Sequence, residues 1–125
     1  MEISEYIVIA LKIIVGVSIL NVWLVQSKKP TKWRGGDATS IIEEFSVYGL
    51  SKTLYNVVFV VKVGLAILLL ASIKYDFLTL YSSIGLAALL GGSIAMHIKV
   101  KDALFKSFPA FLFMAMNLII AYLSF

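Results

Sequence analysis

Few side chains in this sequence could do chemistry, and they stand far apart. Lys62 lies in YNVVFVVKVGLAILLL, an otherwise apolar run. A charged side chain at the centre of a bilayer costs at least about 2.5–3.5 kcal/mol, so a retained one usually faces a partner, a cavity or a ligand. Lys62 is about nine residues from the start of its run, at about 1.5 Å per residue, which makes snorkelling to the interface a long reach. Lys12 is nearer an edge and is expected to snorkel. Asn21 and Asn117 suit interhelical hydrogen bonds. His97 is the only histidine, and it opens the stretch HIKVKDALFKSFPAFLF. Two readings are open for it: an interfacial residue bonded to a backbone carbonyl, or a group that handles protons. Asp102 is expected to cap, or to pair with a lysine of the same turn.

Other chemistries lack their residues. The chain has no cysteine, which excludes thiolate catalysis, disulfide exchange and cysteine-ligated metals. One histidine, with carboxylates only in loops, makes no metal site. No phosphate-binding glycine loop, dinucleotide fingerprint, HExxH or GxSxG occurs. Glu43 and Glu44 are adjacent, so on a helix they point in different directions and form no acid–base pair. The expectation is a chain without a catalytic constellation, leaning away from an enzyme, with Lys62, His97, Asn117, Glu43 and Glu44 as candidates for a polar site inside a membrane.

The elements that would position these groups are membrane spans. Of 125 residues, 61% are hydrophobic and 14% charged, against about half and about a quarter in soluble domains. A core of this size cannot hide that excess, so the solvent is read as lipid. Four runs have the required length of about 20 apolar residues: about 6–26, 53–73, 77–97 and 104–124. The predicted fold is all-α, a single membrane domain over 1–125 built as a four-helix transmembrane bundle. MEISEY is acidic and no small-residue cleavage site follows it, so the first run is expected to be a retained span rather than a signal peptide. Trp23, Trp33, Tyr48 and Tyr55 are predicted to mark one interface, and Tyr6, Tyr75, Tyr81 and Tyr122 the other.

The net charge of +4 is carried in loops. Lys28, Lys29, Lys32, Arg34 and Lys52 edge the first loop, and Lys99, Lys101 and Lys106 the third, whereas the second has only Lys74. Positive loops face the cytoplasm, so loops 1 and 3 are predicted inside and both termini outside, in a bacterial inner membrane. No basic stripe on a polar domain suggests nucleic acid.

The first loop carries ATSIIEEFSVYGLS. Ser40 and Glu43 have capping-box spacing, each able to satisfy a backbone N–H of the other, and Gly49 is a natural stop. A short amphipathic helix is predicted at 41–48, either an interfacial foot or a lid that sets Glu43 and Glu44 against the spans. Ser51 suits the cap of the second span, and Ser107 with Pro109 the start of the fourth. Ser83, Ala87, Gly91 and Ala95 recur every four residues along the third span, a small-residue face for close packing inside the bundle or against another subunit.

With EEFSVYGLS closing the early loop, VVKVGLAILLL in the second span and MHIKVKDALFKSFPA leading into the last, the chain resembles the DoxX-like family over about residues 16–123. The resemblance implies a small four-helix membrane protein. Some members resemble subunits of quinone-linked oxidoreductases, and others act as accessory or assembly factors. Members often carry an acidic or basic residue where Lys62 stands. The leading expectation is an accessory, assembly or structural subunit with a protein partner in a larger membrane complex and no resident cofactor. The alternative is a quinone-linked redox subunit using the surroundings of Lys62 and His97, and a small transporter is the least favoured. HIKVKDALFKSFPA is read first as a basic turn holding the last two spans in register.

Overall fold

The computed structural model describes residues 2–29 and 32–124. Helix α1 (Ile3–Leu20) runs on into a wider π-type turn at Asn21–Val25; α2 is Ile41–Val47 and α3 is Lys52–Ala71. A 3-10 turn at Asp76–Leu78 leads into α4 (Thr79–Lys99), and another at Leu104–Ser107 into α5 (Phe108–Ser124). Four stretches are long and apolar enough to cross a membrane: Ile3–Val25, Lys52–Ala71, Asp76–Lys99 and Leu104–Ser124, with 23, 20, 24 and 21 residues. At about 1.5 Å per residue they match a hydrocarbon layer of about 30 Å. The protein is an all-helical integral membrane protein, a four-span bundle with a short amphipathic helix in its first loop.

The spans close a ring in which α1 touches α3 and α5, and α4 touches α3 and α5; α2 leans on α3. Val15, Ala66, Leu69, Leu86 and Ile120 fill the centre with no exposed surface. Val17, Val60, Ile67, Ile84, Leu118 and Tyr122 face outward, as lipid-facing positions should. Lipid offers no hydrophobic force between helices, so close approach matters. A Cβ on Gly16 would lie 2.6 Å from Leu70 Cγ, and one on Gly85 would lie 2.9 Å from Leu65 Cδ1. On the expected small-residue face, Ser83 and Ala87 are buried, Gly91 faces Met114 of α5, and Ala95 is exposed.

Helix ends follow local chemistry with two surprises. Ser40 Oγ accepts from Glu43 N at 3.2 Å, and Ser51 Oγ accepts from Leu54 N at 3.1 Å. The reciprocal arm of the expected capping box is displaced by one residue: Glu43 Oε2 accepts from Thr39 N and Thr39 Oγ1, at 2.8 and 2.6 Å, instead of from Ser40. α2 ends on Gly49 in the left-handed region, φ 79°, with Gly49 N donating to Ser46 O and Leu50 N to Phe45 O. α4 ends with the same paired bonds, Lys101 N to Ile98 O and Asp102 N to His97 O, but with a lysine at the left-handed position, φ 58°. Glycine normally takes that position.

The aromatic belts differ from expectation at one end. Tyr6, Tyr75, Tyr81 and Tyr122 are exposed, as an interfacial belt requires, while Trp23 and Tyr48 are buried and Trp33 and Tyr55 partly so. Trp23 packs on Phe45, Tyr55 and Phe59. It lies on the same inward stripe as Lys12, Val15 and Ile19, about one helical turn apart. The stripe, not the interface, decides where its ring goes.

Candidate functional site

Inside the ring, at the end that carries the first and third loops, the spans leave a cavity of about 400 Å³. Ile19, Val22, Leu54, Val58, Leu90 and Phe113 give it apolar walls, and Gly92 leaves part of the α4 wall open. Its wall also carries Lys62, 8% exposed. The Lys62 ammonium sits 4.9 Å from the centroid of the Trp23 ring, the geometry of a cation–π contact. It donates no hydrogen bond to any described residue. Ile41, Glu44, Phe45 and Tyr48 of α2 and its C-terminal cap also line the cavity, so the first loop lies over it as a cover.

A polar cluster holds that cover down. Tyr48 Oη donates to Glu44 Oε1 at 2.6 Å and lies 3.4 Å from both ring nitrogens of His97. His97 Nδ1 donates to Asp102 Oδ2 at 2.8 Å, and Asp102 Oδ1 accepts from Gly36 N at 3.0 Å. Lys106 Nζ donates to Gly36 O at 2.8 Å and pairs with Asp102 at 3.6 Å. Arg34 donates to the Gln26 and Lys29 carbonyls at 2.8 and 3.1 Å and stands 3.7 Å from Glu44. Lys99 Nζ donates to the Tyr48 carbonyl at 3.0 Å. The third loop thus ties the first loop and α2 across the mouth of the cavity.

The electrostatics fit this role. Burial first, then the Glu44 carboxylate it bonds to, pushes the Tyr48 phenol well above its usual value, so it stays a donor. Burial works against the Asp102 charge, but the His97 and Gly36 hydrogen bonds and the Lys106 charge outweigh it and hold the carboxyl below its ordinary value. The Thr39 hydroxyl and N–H lower that of Glu43 in the same way, out in solvent.

The candidate residues are thereby divided. Lys62, His97 and Glu44 come together around one cavity, although 35 positions separate Lys62 from His97 and 18 separate it from Glu44 in the numbering. Glu43 points away and serves the cap of α2. Asn117 is fully buried on α5, where its Nδ2 donates to Phe113 O at 2.8 Å within its own helix, and its Oδ1 finds no donor among the described residues. Lys12 does not snorkel: it is 3% exposed and donates to Ser72 O at 3.1 Å and Thr79 Oγ1 at 2.9 Å, with Asp76 4.0 Å away. Arg34 and Tyr48 carry the mouth of the cavity without having stood out as site residues in the sequence. A buried arginine in a loop and a tyrosine four residues after a glutamate are signals only once the loop is known to fold inward. Among the described residues no cluster of three or more histidines, aspartates or glutamates could hold a metal.

The DoxX-like family model matches residues 35–124, which take in α2 to α5 and most of the cavity lining. The chain belongs to the DoxX-like family. No curated protein and no solved structure matches it. In this DoxX-like bundle the matched segment holds Lys62, Glu44, Tyr48, His97 and Asp102, whereas Trp23 and Arg34 lie before it.

Proposed function

We propose that this DoxX-like protein binds one small lipophilic molecule inside the membrane, its polar head on the Lys62 ammonium and its body along the apolar walls, with the first loop as cover. One observation carries the reading: a cavity of about 400 Å³ with a buried lysine on its wall that rests on the face of Trp23 and makes no hydrogen bond or ion pair with a described residue. Pockets of about 300–1,000 Å³ with mostly apolar walls and a few polar groups are the usual form of a small-molecule site. A quinone fits this description, its carbonyl oxygen accepting from Lys62, and so links the site to the redox-subunit alternative; electrons would come from another subunit. The accessory-subunit reading leaned on the small residues of the third span, and Ser83, Ala87 and Gly91 are spent instead on packing within the bundle. We further infer that loops 1 and 3 face the cytoplasm of a bacterial inner membrane, which puts the covered mouth of the cavity on that side.

The test is gentle purification from native membranes, followed by mass spectrometry of lipophilic small molecules and of copurifying proteins. The expected result is a lipophile retained stoichiometrically by the wild type and lost from Lys62→Leu, a change that removes a charge from the membrane and so favours insertion. A stoichiometric protein partner with no retained lipophile would restore the accessory role. Because the chain lacks cysteine, a single cysteine placed at Lys28 reports sidedness: labelling only from the cytoplasmic face is expected, and labelling only from outside would reverse the orientation.

A further inference from the structure

The charges around the cavity do not cancel, and what is left over describes the ligand. Arg34 stands 3.7 Å from Glu44, and Lys106 stands 3.6 Å from Asp102. Lys62 has no carboxylate within ion-pair distance among the described residues; its ammonium rests on the Trp23 ring, and the carboxylate whose field reaches it, Glu44, is already held 3.7 Å from Arg34. Arg34 also lines the cavity, and its Nε–H is buried without an acceptor among the described residues. Buried donors are normally paired, and exceptions ask for an explanation such as an unseen partner. An ammonium in apolar surroundings needs an opposite charge more than it needs a neutral acceptor.

We propose that the cavity selects a single-chain amphiphile whose head bears one negative charge, seated on Lys62 with Arg34 at the mouth. This rests on the reading of the cavity as a lipophile site and narrows it from neutral carbonyl compounds to monoanions. A cavity of about 400 Å³ is near the lower end of the usual range of about 300–1,000 Å³, which suits one chain rather than two. Two sources share the chemistry: a free fatty-acid carboxylate, and the phosphodiester of an anionic lysophospholipid.

Trp23 and Trp33 are the two tryptophans of the chain, and both line the cavity. A bromine-bearing chain that enters it quenches their fluorescence on contact. The whole protein, in nonionic detergent at pH 7, is titrated with dibromostearate, with its uncharged methyl ester, and with a brominated lysophosphatidylglycerol. Saturable quenching is expected from at least one anion, at least tenfold tighter than from the ester, and Lys62→Met is expected to erase the gap. Which anion is the tighter identifies the source. Equal affinity for acid and ester in the wild type would overturn the proposal while leaving a site for neutral lipophiles. A gap that persists in Lys62→Met would overturn it by placing charge recognition elsewhere. No saturable quenching by any of the three probes would remove the lipophile site itself.

Discussion

Two lysines are buried inside this bundle, and their surroundings differ. Lys12, toward the end that carries the second loop, is saturated by the Ser72 carbonyl, the Thr79 hydroxyl and the nearby Asp76. It ties α1 to the end of α3 and the start of α4. Lys62, midway along α3, has a cavity in front of it and an aromatic face beside it. Both residues bear the cost of a charge in a membrane. In one the protein itself compensates that cost; in the other it leaves room for something else to do so. Burial of a lysine is therefore no guide to function until its hydrogen-bond partners are counted.

That contrast can be broken in several ways. The largest effect is expected at Lys62: Lys62→Leu should lose ligand retention entirely while the thermal midpoint in detergent holds or rises, and retention of the lipophile by this variant would break the contrast. Gly92→Leu comes next. A Cβ at Gly92 meets nothing within 4 Å, so the side chain can grow into the cavity; ligand affinity is expected to fall at least tenfold without loss of folding. Ligand titration of a folded Gly92→Leu protein that matches wild type would show that the cavity is not the site. At Lys12 the opposite pattern is expected. Lys12→Met should lower stability by about 1–2 kcal/mol, near the upper end for polar contacts inside membranes, and leave ligand retention unchanged. Reversible unfolding and the retention assay together check this.

Smaller effects are expected at the cover. The Asp102 carboxyl is held below its ordinary value in the fold, so its contribution is present above the unfolded value of about 3.9 and is lost as the pH falls through the lower, folded value. Asp102→Asn should therefore cost about 1–2 kcal/mol at neutral pH, with the difference from wild type shrinking below about pH 4; thermal melts across pH 6 to 3 measure it. The smallest is Lys101→Gly. Lys101 holds a left-handed backbone with φ 58°, and glycine there should add about 1 kcal/mol of stability.

The covering loop shows how far the amino acids could be read. The turn HIKVKDALFKSFPA does join the third and fourth spans. It also supplies His97, Asp102 and Lys106 to the ties across the cavity mouth. The left-handed Lys101 turns Asp102 back onto the His97 carbonyl and beside its ring. Nothing in a lysine announces that conformation, whereas Gly49 announces the equivalent bend at the end of α2.

The amino acids alone determined the solvent and the scaffold, because apolar length against bilayer thickness and the cost of unpaired backbone leave few structures open to such a chain. They also marked Lys62, because a charge in an apolar run stands out whatever the fold. The tertiary structure decided which polar groups meet. It folded the first loop over the bundle, turned Trp23 inward onto Lys62, left Glu43 outside and Glu44 within, and closed Lys12 in a shell of acceptors. Those outcomes depend on contacts between residues as many as 70 positions apart, as from Gly36 to Lys106, and local periodicity carries no record of contacts at that separation.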